Sequence, residues 1–214
     1  MMSATAHTDL AWFKKNLENT ALVSSLKKIT LIIMDVDGTL TDGTISFSQT
    51  EELGRNFSII DGYAFRPAAA AGIKIALLSG KNNKSTYTRG KDLGIPPELC
   101  IIGRTDKNVV IKELQTTYGC TPENTLVVGD DVPDALVKQG GVAALYACPA
   151  NTSFYLQPLA DIVLPRDGGN HAIRLLLDFV LYAQGKHFAA GLVKKTLESF
   201  ETPCGLLRTS GYEK

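Results

Sequence analysis

"LIIMDVDGTLTDG", residues 31–43, runs four apolar side chains into two aspartates one residue apart, then into glycine and threonine. An apolar run that does not alternate suits a strand buried on both faces, as in a parallel sheet. Asp35 and Asp37 close that strand with two like charges that repel each other. A chain that ends a buried strand this way needs something at that point to offset the repulsion.

Working outward, the same kind of short apolar run recurs as "IKIALLS" (73–79), "LCIIG" (99–103), "TLVVGD" (125–130), "VAALYA" (142–147) and "DIVLP" (161–165). The segments between them, among them "NKSTYTRGKDLG" and "KNVVIKELQTTYG", are long enough for crossover helices. The pattern predicts an α/β protein built on a doubly wound parallel sheet of Rossmann type. Gly72, Gly94, Gly119 and Gly140 stand where left-handed helix caps are expected. "TISFSQTEELGRNFSII" breaks the alternation with two period-two runs, 44–47 and 55–59, and reads as a β-hairpin flap beside the acidic loop. Ahead of the core, Leu10, Phe13, Leu17 and Ala21 keep helical spacing. They predict a helical appendage over 1–27, followed by the main domain at 28–184 and a tail at 185–214. In the tail, Leu192, Leu197 and Phe200 fit one more short helix, and "ETPCGLLRTSGYEK" reads as flexible.

Composition narrows the function. The 214 residues carry 22 basic and 22 acidic side chains, a net charge of zero with no basic block to attract nucleic acid. No apolar run approaches the roughly 20 residues needed to cross a bilayer, and the start "MMSATAHTDL" lacks the pattern of a secretion signal, so a cytoplasmic protein is expected. Four scattered cysteines and three histidines indicate neither a zinc site nor a disulfide framework. A small-molecule partner is the expectation.

In open α/β sheets, ligands bind at the carboxyl ends of the strands. Collected there are Asp35, Asp37, Ser79, Gly80, Lys81 and the pair Asp130–Asp131, with Lys107 opening the helix after the third run. Carboxylates gathered without imidazole or thiolate make a hard oxygen site suited to Mg2+ with retained waters and a phosphate. Such a cation answers the repulsion between Asp35 and Asp37.

"DVDGTLTDG", the strand-ending Ser79, Lys107 before a helix and "GDDVPD", in that order, resemble the haloacid dehalogenase superfamily of phosphatases. The resemblance implies that Asp35 is the nucleophile and forms an aspartyl-phosphate, while Asp37 is the general acid and base. It further implies that Asp35, the Asp37 carbonyl and Asp130 bind Mg2+, that Ser79 and Lys107 hold the phosphoryl group, and that Asp131 and Asp134 support the loop or orient Lys107. Between Asp37 and Ser79, and between Lys107 and Asp130, there is no room for a cap domain. That layout, with "FSIIDGYAF" and "GGNHAIRLLLDFVL", is similar to the capless 3-deoxy-D-manno-octulosonate 8-phosphate phosphatase family. Membership implies a homotetramer whose hairpins and tails cover neighbouring sites. It also implies substrate contacts at Asp61, Gly62, Gly80, Lys81 and Arg89, and a C-terminal motif at Gly168, Gly169 and Arg174. Ile60 and Lys81 stand where that family usually has arginine. An arginine fork grips a carboxylate as isoleucine cannot, so a sister substrate such as an acylneuraminate 9-phosphate, or another phosphosugar, stays open. A receiver domain uses similar residue types, but with the acidic pair first and the phosphorylated Asp later. A catalytically idle scaffold is the other alternative.

Overall fold

The computed structural model describes residues 3–50 and 52–199. In chain order the elements begin with α1 (Ala4–Glu18), α2 (Thr20–Leu26), β1 (Leu31–Met34), β2 (Thr41–Phe47), β3 (Glu52–Phe57), α3 (Ile59–Tyr63) and α4 (Phe65–Ala70). There follow β4 (Lys74–Ser79), α5 (Lys84–Leu93), β5 (Cys100–Ile102), α6 (Lys107–Tyr118), β6 (Thr125–Val128) and α7 (Val132–Gln139). The described chain closes with β7 (Leu145–Cys148), β8 (Ile162–Val163), α8 (Ala172–Ala183) and α9 (Ala190–Ser199).

All six expected core runs form strands of one parallel sheet, in the order β5-β4-β1-β6-β7-β8. β1 lies inside it with Leu31 paired to both Lys74 and Thr125, and Met34 to both Leu77 and Val128. The chain leaves β1 toward β4 on one side and returns later as β6 on the other, which opens a crevice beyond the end of β1. The Asp35 amide still donates to the Val128 carbonyl at 2.9 Å, so the acidic loop starts from a fixed point.

The differences from the expected boundaries have local causes. The run at 142–147 enters the sheet late, as β7, because Val142 and Ala143 are buried in the turn after α7. There Gly141, at φ 68°, adopts the left-handed conformation expected of Gly140, which sits at φ −75°. Gly94 and Gly119 cap as expected. The hairpin strand expected to reach Ile59 stops at Phe57, because the Ser58 hydroxyl accepts the Asp61 amide at 3.1 Å and starts α3.

The N-terminal stripe is two helices: the Asn19 side chain accepts the Leu22 amide at 3.1 Å and begins α2. Leu10, Phe13, Leu22 and Leu26 are buried in the same core as the sheet. Trp12 and Phe13 meet Phe179 of α8 edge-on at 5.2 and 5.0 Å, an arrangement that adds to their area burial. The Trp12 indole donates to the Val163 carbonyl at 2.7 Å, and Arg166 forks Asp9. The segment read as an appendage therefore covers α8 and the β8 edge. In α9 Leu197 is buried and Leu192 exposed, while Phe200 and the stretch after it lie outside the described residues.

Candidate active site

The loop after β1 is shaped by its own threonines. Thr41 Oγ1 accepts the amides of Gly38 and Gly43, both at 3.2 Å, and donates to the Val36 carbonyl. Gly38, at φ 91°, passes so close to Asp130 that an added Cβ would lie 2.2 Å from its Oδ2. From the far side Gly168 presses on the same loop, and a Cβ there would stand 1.8 Å from the Gly38 carbonyl oxygen.

Within this frame Lys107, the first residue of α6, reaches inward to two acids. Its Nζ donates to Asp35 Oδ1 at 2.7 Å and to Asp134 Oδ1 at 2.5 Å. Thr39 Oγ1 donates to Asp130 Oδ1 at 3.0 Å. One carboxylate oxygen from each of Asp35, Asp130 and Asp134 lies within 4.8 Å of the others. Opposite ligands of an octahedral Mg2+ stand about 4.2 Å apart at 2.1 Å each, so small side-chain movements suffice for Asp35 and Asp130 to share one ion. Ser79 ends β4 with its hydroxyl 3.4 Å from Asp37 Oδ2, and it accepts the Lys81 amide at 3.1 Å. Asp131 caps α7 by accepting the Val132 amide at 2.7 Å. Asp35, Asp37, Gly80, Lys107, Asp130, Asp131 and Asp134 line one cavity of about 200 Å3, with Thr105 and Pro133.

Three expected substrate contacts are not part of this cluster. Asp61 is fully buried, and its carboxylate accepts the His171 and Arg174 amides at 3.2 and 2.7 Å. It caps the start of α8, where His171 offers no side-chain cap. Gly62 lies beneath Arg89, whose guanidinium donates to the Ser58 carbonyl at 2.8 Å and pairs with Asp92. Gly62 and Arg89 line a separate cavity of about 770 Å3 together with Ile59, Ile60, Tyr63 and Arg66. Lys81 is exposed. Arg174 is held by Asp178 at 2.7 Å and stacks over Tyr63 at 4.8 Å.

Arg55 was not anticipated. It projects from β3, its side chain is completely buried, and it pairs with both Asp37 and Glu52. The signal was a charged residue inside an alternating run, at a position opposite Ile45. Thr39 was seen at the end of the first strand but given no role, and its hydroxyl holds Asp130; Thr105, three residues beyond β5, was not noticed.

Electrostatics agree with a site built for a cation. Burial, then the charge of Asp35, lifts the Asp130 carboxyl to about 6, and burial also raises Asp35 and Asp134. Burial alone would lower Lys107, but Asp134 and Asp35 outweigh it and leave the amine raised. A carboxyl raised in the folded state binds protons there more readily than in the unfolded chain. The stability this supplies is complete below the unfolded value of 3.8 and is lost as pH rises through about 6. In chelator, thermal melting monitored with Asp130→Asn as reference should show wild type losing relative stability between about pH 4 and 7. Added Mg2+ should abolish most of that loss. An identical pH dependence in both proteins would refute the cluster's strain.

The curated 3-deoxy-D-manno-octulosonate 8-phosphate phosphatase of Haemophilus influenzae is 34% identical over 166 residues, covering 75% of this chain and 87% of its own. The cobalt-bound structure of the deoxy-D-mannose-octulosonate 8-phosphate phosphatase from that organism superposes with a TM-score of 0.72 at 31% identity, over 80% of this chain and 99% of that one. The Moraxella catarrhalis 3-deoxy-D-manno-octulosonate 8-phosphate phosphatase, in complex with magnesium ion, phosphate ion and KDO, gives 0.71 at 26% identity, over 86% of this chain and 99% of that one. No protein-family model matches the chain. No helix among the described residues is long and apolar enough to cross a membrane. With its parallel sheet, its strand-end acids and these relatives, the chain belongs to the 3-deoxy-D-manno-octulosonate 8-phosphate phosphatase family of the haloacid dehalogenase superfamily.

Proposed function

We propose that this protein hydrolyses the phosphomonoester of 3-deoxy-D-manno-octulosonate 8-phosphate in the cytoplasm. The observation that carries the reading is Lys107 bridging Asp35 and Asp134 beside Asp130, with Asp37 across the same cavity. A carboxylate oxygen of Asp35 attacks phosphorus in line as the bond to the sugar oxygen breaks, and Asp37 gives that oxygen its proton. A water then loses a proton to Asp37 while its oxygen attacks phosphorus, which frees phosphate and restores the Asp35 carboxylate. Ser79, the backbone at Gly80 and Lys107 hold the phosphoryl oxygens, and Lys107 offsets the charge that spreads over them. Asp35, Asp130 and the Asp37 carbonyl would hold Mg2+, which supplies further charge neutralisation there. Asp131 and Asp134 support the loop, Asp134 through Lys107.

A cavity of about 200 Å3 is smaller than the roughly 300 Å3 at which ligand pockets begin. It takes the phosphoryl end and leaves the sugar outside, toward Lys81. Phe47 and Leu53 on the hairpin are 67% and 65% exposed, and Ile59 on α3 is 84% exposed. These apolar side chains suit a homotetramer in which a neighbouring subunit covers the site, with Gly62 and Arg89 in the adjoining cavity lining and Asp61 fixing the start of α8 beneath them. Sedimentation should give four chain masses.

The test is phosphate release from 3-deoxy-D-manno-octulosonate 8-phosphate, an acylneuraminate 9-phosphate and neutral hexose phosphates, each with Mg2+ and with chelator. The octulosonate ester should rank first and chelator should stop every reaction. Ile60 in place of an arginine leaves two rival outcomes, a preference for the acylneuraminate ester or for another phosphosugar. A preference for neutral hexoses would overturn the acid-sugar assignment.

A further inference from the structure

Arg55 is the one described cation that reaches Asp37 by an ion pair, and it comes from the hairpin rather than from the sheet. Its Nε donates to Asp37 Oδ1 and its Nη1 to Glu52 Oε1, while Nη2 is buried and makes no hydrogen bond. The Arg55 side chain is 0% exposed, against 25% for Asp37. Removing a guanidinium from water with one nitrogen unpaired is unfavourable, and a solvated lysine or threonine would pin a hairpin without that penalty. What the arrangement does provide is a fixed carboxyl. Arg55 occupies Oδ1 of Asp37, the Ser79 hydroxyl stands 3.4 Å from Oδ2, and the two together set the plane of the group. Oδ2 is then the oxygen left to carry the transferable proton.

From this geometry we infer that Arg55 is a positioning residue for the phosphatase reaction, aiming Asp37 Oδ2 at the leaving-group oxygen and linking the seating of the hairpin to proton transfer. Glu52 anchors the guanidinium from its other side. The inference rests on the phosphomonoester reading above and adds to it a residue outside the strand-end constellation.

Leaving-group dependence separates this role from a merely structural one. An alkyl phosphate expels a strongly basic alkoxide and needs the proton from Asp37, whereas p-nitrophenyl phosphate expels a stable phenolate and does not. Because kcat/KM reports steps only through the first irreversible one, it isolates the transfer to Asp35 from the later hydrolysis. Arg55→Met should lower kcat/KM for the octulosonate ester about 10- to 100-fold, within what general acid catalysis contributes. For p-nitrophenyl phosphate the loss should stay within about threefold, which also reports a folded site. Arg55→Lys keeps the charge but not the fork, and should fall between wild type and Arg55→Met on the sugar ester alone; it carries the comparison should Arg55→Met not fold. Equal losses on both substrates, or an undiminished rate on the sugar ester, would overturn the role of Arg55. Failure of wild type to release phosphate from either compound would instead overturn the phosphatase reading.

Discussion

Asp35→Asn should lower phosphate release on the order of 10^4-fold or more, equivalent to about 5.5 kcal/mol of lost transition-state stabilisation. An amide oxygen carries no formal charge and is a poor nucleophile, so the covalent step that divides the hydrolysis in two is lost. Folding should survive. Asparagine keeps the shape, still accepts from Lys107, and removes a charge that, after burial, raises Asp130 and Asp134. The variant's melting temperature in chelator should therefore match or exceed that of wild type. Two measurements make the prediction sharp. Wild type quenched in acid during turnover should hold hydroxylamine-sensitive phosphate, as an acyl phosphate does, and the variant should hold none. A folded variant that retains more than about 1% of wild-type kcat, some 2.7 kcal/mol of loss, would remove Asp35 from the nucleophile's role.

The parts of this protein legible in the sequence are those whose cause is local. Each core strand announced itself as an apolar run, because a strand covered on both faces has no polar side to interrupt it. The strand-end acids followed from that, since the residue after a buried run must lie at the sheet's edge. Gly94 and Gly119 marked helix ends because a left-handed cap favours glycine. What stayed hidden depends on partners far along the chain. The family resemblance implied a substrate contact at Asp61, and nothing in the local sequence shows that its carboxylate caps a helix 110 residues away. Leu10 and Phe13 showed a helical stripe, but the aromatic face of α8 that covers it could not be paired with it from spacing alone. Arg55 was hidden for the same reason: hairpin register, not composition, turns it toward Asp37. Its burial inside an alternating run is the trace such a residue leaves.

Lys107→Met should be damaging twice over, and the two effects should separate. Lys107 is 8% exposed and holds Asp35 and Asp134 at 2.7 and 2.5 Å, with the Asp134 side chain 3% exposed. Methionine keeps most of the volume but leaves two buried acids without their cation, and breaking a buried pair from one side costs about 3–5 kcal/mol. Some of that should be recovered by protonation of the acids, so the loss measured by denaturant unfolding should shrink from pH 8 to pH 5. Activity should fall about 10^2- to 10^3-fold at either pH, because the charge that developed on the phosphoryl oxygens was balanced by a preorganised ammonium that is now missing. The double variant Lys107→Met/Asp134→Asn distinguishes the roles. Neutralising Asp134 removes one orphaned carboxylate, so the double variant should be more stable than Lys107→Met while remaining as slow. Equal stability of single and double variants would mean that Asp134 is not held by Lys107 in the way its 2.5 Å contact implies. Near-normal kcat in a folded Lys107→Met would show that the amine serves the fold alone and that phosphoryl charge is balanced by other groups.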